Sequence, residues 1–184
     1  MNDTKNLIGI CSGAANYLHS WDEQFSHIKA LGFDALDFSL SDIKSVCYES
    51  DAAMEAHCKK ARAAAEKCGL MISQAHGPWP TDDTTPEGIK IGWASMHRAV
   101  YGCFALGCRY LVIHPQMPFG WGSDTDPDYA ESQTVALMKE LVEDLEKYNV
   151  VLCLENMPFK DQRISPMKYI VRAVEKVGSP YVGI

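Results

Sequence analysis

Short apolar runs alternate along the chain with longer stretches whose apolar residues recur at three- and four-residue intervals. The first kind reads as strands buried on both faces, the second as amphipathic helices packed over them. Strands are predicted to start near positions 7, 35, 70, 110, 150 and 181. The helices between them carry their own start and stop signals. Ser20 and Glu23 have capping-box spacing ahead of Phe25, Ile28 and Leu31, and Gly32 supplies a left-handed stop. A second helix spans Asp51 to Lys67, with Met54, Cys58, Ala61, Ala65 and Cys68 at helical spacing and Gly69 closing it. Thr85-Pro86-Glu87 opens a third that runs through Trp93, Met96 and Val100 to Gly107. Asp126-Pro127 opens a fourth, with Met138, Leu141, Val142 and Leu145 on one face, ending near Asn149. Ser165-Pro166 opens a fifth, with Ile170, Val171, Val174 and Val177, stopping at Gly178.

Strict alternation of strand and helix implies parallel strands joined by crossovers. That pattern fits a closed (β/α)8-type barrel or an open doubly wound sheet. No G-x-G-x-x-G or P-loop follows any strand, which removes the best support for the nucleotide-binding sheet. The expectation is an α/β barrel, incomplete here, with about six strands and five helices in one domain over residues 1–184. An eight-stranded barrel needs about 250 residues. The chain is therefore expected to lack the last two to three strand–helix units.

Three predicted strands end alike, in His76, His114 and Glu155, each with a proline within three residues. Side chains alternate along a strand, so Glu155 shares a face with Cys153 and Val151, while Leu152 and Leu154 point the other way. The same count pairs His114 with Val112 and His76 with Gln74 on the inward side, and Asp37 ends the second strand comparably. In a barrel, strand C-termini are where catalytic groups gather. Imidazoles and a carboxylate at one mouth suit a divalent metal. Glu155 reads as a metal ligand or a base, or else as a charge that merely ends a strand. Trp79 could stack on a sugar ring or pack its own loop, and Phe119 and Trp121 are weaker candidates of the same kind. Asp161 and Arg163 could reach substrate oxygens or be solvated. His27, His57 and His97 fall within helices and His19 in a loop, outside the expected site.

The net charge of -7 argues against nucleic acid, and the loops over residues 12–20, 77–85 and 115–125 contain no Lys or Arg. Seven cysteines without a C-x-x-C pair read as reduced core fillers. No apolar run reaches the roughly 20 residues a bilayer needs, and the start at Met1 has no basic segment followed by an apolar core, so a cytoplasmic location is expected.

Ala75-His76-Gly77-Pro78-Trp79, Val112-Ile113-His114-Pro115 and Leu154-Glu155-Asn156 together resemble the xylose-isomerase-like TIM-barrel superfamily of sugar and sugar phosphate isomerases and epimerases. The resemblance implies that Glu155 is a divalent-metal ligand and proton-transfer base, with Mn, Mg, Co or Zn as the ion. It implies substrate contacts for His76 and His114, as in the epimerases, or zinc ligation by both, as in the endonuclease IV branch. Further ligands would come from an Asp-x-Gly-His motif after the sixth strand and from later strands, beyond Tyr181-Val182-Gly183-Ile184. The implied partner is a small sugar or polyol, with no nucleic acid or membrane. Association of copies into a homo-oligomer would cover the first and sixth strands. The alternatives are an endonuclease IV-like zinc phosphodiesterase and a noncatalytic barrel fragment.

Overall fold

The computed structural model describes residues 6–79, 85–115, 126–157 and 166–184. The elements follow in the order β1 (Gly9–Cys11), α1 (Trp21–Ala30), β2 (Ala35–Ser39), α2 (Asp51–Lys67), β3 (Met71–His76), α3 (Pro86–Leu106), β4 (Tyr110–Ile113), α4 (Pro127–Tyr148), β5 (Val151–Leu154), α5 (Met167–Val177) and β6 (Val182–Gly183). Short 3-10 turns at Ser12–Ala15 and Val46–Tyr48 follow β1 and β2. All neighbouring strands are parallel, and their order in the sheet is their order in the chain. A doubly wound sheet reverses its strand order at a switch point, whereas a barrel adds each strand beside the last. Sequential order thus selects the barrel topology, here six strands and five helices.

The helices begin and end where local chemistry dictates. Ser20 and Glu23 form a complete capping box on α1, and Ser50, Thr85 and Asp126 each accept a first-turn backbone N–H. α4 stops at Asn149, which takes the left-handed conformation at φ 53° usually left to glycine. α5 starts at Met167 with Pro166 in the cap position, where an extended ψ of 136° keeps Pro166 out of the helix it was expected to open. Ser165, read as its cap, lies outside the described residues. β1 starts at Gly9, not Leu7: apolarity does not decide how far pairing extends, and Leu7 and Ile8 stay exposed.

The core lies between sheet and helices. Leu36, Phe38, Ala75, Leu111, Ile113, Leu152 and Leu154 point outward from the strands and are buried against Phe25, Met54, Met96, Leu137, Met138, Leu141 and Ile170. Four of the seven cysteines fill this layer, but Cys11 is exposed and Cys68 and Cys153 are half-buried, so the cysteines are not uniformly core residues. Between α4 and α5, the fully buried Glu131 accepts from Arg172 Nε at 2.6 Å and Lys176 Nζ at 2.5 Å.

One irregularity governs the inner face. Leu36 pairs with Ile72 but Asp37 pairs with Gln74, so Ser73 is an extra residue in β3. Its hydroxyl donates to the Leu36 carbonyl at 3.0 Å. Past this bulge, Ala75 lies beside Phe38 on the helix side, and His76 lies beside Ser39 on the barrel side.

Candidate metal centre

Four side chains meet at the C-terminal end of the sheet. Asp37 lies on the barrel side of β2, at its middle and not at its end as expected because pairing continues to Ser39, and His76 is the last residue of β3. His114 and Glu155 each stand one residue past β4 and β5. The ladders continue far enough to hold them. Gly77 N–H donates to Val112 O at 2.8 Å, and Glu155 N–H donates to Ile113 O at 2.9 Å. The ring atoms of the site therefore hang from paired backbone, which limits their movement.

His76 Nε2 and His114 Nε2 are 3.1 Å apart, and Glu155 Oε2 lies 3.4 Å from the first and 3.3 Å from the second. These three atoms form a nearly equilateral triangle of nitrogen and oxygen donors, and among the described residues it is the group able to hold a metal ion. Donors at about 2.0–2.1 Å in tetrahedral geometry are spaced about 3.3–3.4 Å from one another. The triangle matches one face of such a shell. Three buried side-chain atoms here have no hydrogen-bond partner, Asp37 Oδ1, His114 Nδ1 and Glu155 Oε2, and the last of them is a corner of the triangle. A buried polar atom left unpaired costs about 1–3 kcal/mol, and an ion would satisfy the Glu155 oxygen.

Electrostatics separate the two imidazoles. The hydrogen bond to Asp37 raises the His76 pKa, against burial, with the charges of Asp37 and Glu155 adding to the rise. Burial, with a smaller contribution from the charge of His76, pushes His114 down to about 4. His114 is thus neutral at ordinary pH, the state in which imidazole binds a metal.

Trp79 is not part of the triangle. Its ring tilts 32° over His114 at 4.0 Å between centroids and is 40% exposed, so it shields the imidazole at the edge of the mouth. Phe119, Trp121, Asp161 and Arg163 lie outside the described residues. Sequence reasoning placed Asp37 at the mouth but missed its contact: Asp37 Oδ2 lies 3.3 Å from His76 Nδ1. Its inward parity on the neighbouring strand was the available signal. Clefts of about 530 Å³ between α1 and α2 and about 550 Å³ beside His97 lie away from these groups.

The chain belongs to the family described as xylose isomerase-like TIM barrel, whose sequence model matches residues 25–184. Solved structures share the fold. The 3-keto-D-glucoside 4-epimerase YcjR from E. coli is 18% identical with a TM-score of 0.74, over 97% of this chain and 68% of its own. D-psicose 3-epimerase from Clostridium cellulolyticum, solved with D-tagatose, is 17% identical with a TM-score of 0.73, over 96% and 62%. The IOLI protein, solved with a bound zinc atom, is 12% identical with a TM-score of 0.69, over 97% and 62%. This chain thus spans 62–68% of these structures. No curated protein sequence gives a significant match.

Proposed function

We propose that this chain carries part of the active site of a divalent-metal-dependent sugar isomerase or epimerase, with His76, His114 and Glu155 holding the ion. The observation that carries the reading is the donor triangle with edges of 3.1, 3.3 and 3.4 Å at one barrel mouth. The fold neighbours named as epimerases of a keto-glucoside and of psicose support the reaction class. The IOLI structure, with its zinc, supports the metal. The ion's chemistry is to polarise a carbonyl and its adjacent hydroxyl. The chain's own residues do the rest. His76 and His114 offer Nε2 lone pairs, and Glu155 brings the negative charge. With Oε2 buried and the side chain 41% exposed, the rest of the Glu155 carboxylate reaches the open mouth. There it takes the proton alpha to the carbonyl; delivering that proton to the neighbouring carbon gives isomerisation, and a second base acting from the opposite face gives epimerisation. Trp79, stacked on His114, walls the site on the side where a sugar would lie. We also read the protein as cytoplasmic, a single domain and self-associating. The free cysteines support a reducing compartment, and among the described residues no helix is long and apolar enough to cross a membrane.

The test is proton exchange. A protein carrying this chain together with the strands that complete the barrel, loaded with Mn²⁺ or Zn²⁺ and given ketohexoses in D₂O, is expected to introduce deuterium into the sugar at the carbon next to the carbonyl. The Glu155→Gln variant is expected to lose this, because it loses a base and a negative ligand with little change of shape. Exchange at the wild-type rate by Glu155→Gln would refute the assignment.

One observation favours a second reading. Two imidazoles and a glutamate converge on one point, the ligation that the resemblance implies for the endonuclease IV branch. The charge of -7 counts against a DNA substrate. Cleavage of an abasic oligonucleotide with zinc added, in the absence of sugar exchange, would reverse the order of the two readings.

A further inference from the structure

We propose that Asp37 is the positioning residue of this site: its carboxylate fixes His76 with the proton on Nδ1 and so aims the Nε2 lone pair at the point shared by His114 and Glu155. The proposal rests on reading those three residues as a metal centre. It assigns Asp37 no contact with substrate.

The argument is one of donors and acceptors. A neutral imidazole has one N–H and one lone pair, while an ionised carboxylate only accepts. Asp37 Oδ2 lies 3.3 Å from His76 Nδ1, so a hydrogen bond along that contact requires the proton to be on Nδ1. In the neutral ring Nε2 is then bare, and it lies 3.1 Å from His114 Nε2 and 3.4 Å from Glu155 Oε2. In the other tautomer two lone pairs would face each other across the Asp37 contact, and an N–H would occupy the place where three donors converge. The second nitrogen of a ligating histidine ordinarily donates to a carboxylate or carbonyl that sets its orientation.

His114 provides the contrast. Its Nδ1 is buried with no hydrogen-bond partner. Nothing among the described residues fixes its tautomer from behind, and with His76 Nε2 bare, His114 Nε2–H is free to donate across the 3.1 Å gap. In the metal-free protein the two rings therefore differ: His76 is ready to bind, and His114 must shift its proton to Nδ1 as the ion arrives. The order follows from Asp37 standing behind one ring only. The backbone of Asp37 is held from both sides, although Oδ1 of its carboxylate is buried without a hydrogen-bond partner. Asp37 pairs with Cys11 on β1 and with Gln74 on β3, and its side chain is 24% exposed.

The experiment uses ¹⁵N-histidine-labelled protein, metal-free, with long-range ¹H–¹⁵N correlation spectra to assign tautomers and zinc titration to measure affinity. Wild type is expected to show His76 protonated on Nδ1 and His114 protonated on Nε2, with His114 switching on zinc addition. Asp37→Ala and the nearly isosteric Asp37→Asn are expected to lose the single His76 tautomer and to weaken zinc binding about 10- to 100-fold. Ser39→Ala, on the same face beside His76, is expected to change neither. His76 protonated on Nε2 in wild type, or an Asp37→Asn protein that folds and keeps both tautomer and zinc affinity, would overturn the proposal and leave the metal centre standing. Zinc affinity unaffected by both His114→Ala and Glu155→Gln would instead remove the metal centre, and the positioning role with it.

Discussion

Replacing Gly77 with alanine tests whether the site depends on the close approach of β3 and β4. Gly77 directly follows His76, and an added Cβ would lie 2.9 Å from Ile113 Cγ2, 3.3 Å from the Val112 carbonyl oxygen and 3.6 Å from Leu111 Cδ1. Carbon atoms rest about 3.5–4.0 Å apart, so the methyl must gain roughly 0.6–1 Å. One obstacle is backbone, and the neighbouring side chain is the fully buried Ile113, so the strands themselves must part. Overpacking of this kind costs about 1–3 kcal/mol. Weakening the 2.8 Å bond from Gly77 N–H to Val112 O adds to it, by about 0.5–1 kcal/mol. The smaller entropy of an unfolded alanine returns about 0.4–1 kcal/mol. The net loss is about 1–3 kcal/mol, or roughly 3–10 °C in Tm for a domain of this size. Parting the strands also widens the 3.1 Å gap between the histidine nitrogens, so zinc affinity falls with stability. Ile113→Ala removes the struck methyl, and the double variant is expected to lose less than the sum of the two singles. Thermal melts and zinc titration of the four proteins measure this. A Gly77→Ala protein with wild-type Tm and zinc affinity would refute the claim that β3–β4 contact sets the donor spacing.

Three other perturbations have clear expected outcomes. His97 lies 2.6 Å from Asp144 and 3.2 Å from Glu140, and although burial pushes its pKa down, these carboxylates raise it on balance. Its folded pKa exceeds its unfolded value, so its stabilisation is full below about pH 6.5 and fades as pH rises through the folded pKa. His97→Gln should thus lower stability in acid by under about 1 kcal/mol after solvent screening, seen as a lower Tm, with melting curves converging above the folded pKa and sugar exchange unchanged. Glu131→Ala should destabilise by about 3 kcal/mol in urea denaturation, the low end for a buried ion pair, because Arg172 and Lys176 remain partly hydrated; a loss below half that would show the α4–α5 contact to be held by apolar packing. Trp79→Ala should weaken sugar binding roughly tenfold, the worth of one aromatic contact, while keeping zinc affinity; unchanged sugar affinity would remove Trp79 from the substrate wall.

Some of this architecture was readable from residue order because the chemistry is local. The end of α2 follows from Gly69, and the bounds of α3 from Thr85-Pro86 and Gly107, whereas the Ser50 cap of α2 was not read. Parity along β5 put Glu155 opposite Leu152 and Leu154, whose burial on the helix side agrees. What could not be read depends on distances between strands. The residue types of His76 and His114 suit substrate contact or metal ligation equally, and the 3.1 Å separation of their Nε2 atoms is what favours ligation. The partnership of Asp37 with His76 spans 39 positions and leaves no local mark. The isolation of His97 from the mouth was legible from its helical setting, whereas its two carboxylate partners on α4 were not.

The extra residue at Ser73 has a consequence for how such sites are compared between proteins. Counted by strict alternation from Ile72, which faces the helices, His76 would face the helices too. The bulge inverts the phase of the strand's last three residues and leaves its first two untouched. A gapless alignment anchored on the apolar start of β3 would therefore pair His76 with a position of the opposite face in a barrel without the bulge. Correspondence of ligands between such chains has to be counted backward from the strand's end, with the gap placed at Ser73. The same phase inversion gives the upper strand its own freedom to vary: residues at the mouth can be exchanged or re-aimed by one insertion while the helix-facing Ile72 keeps its place in the core.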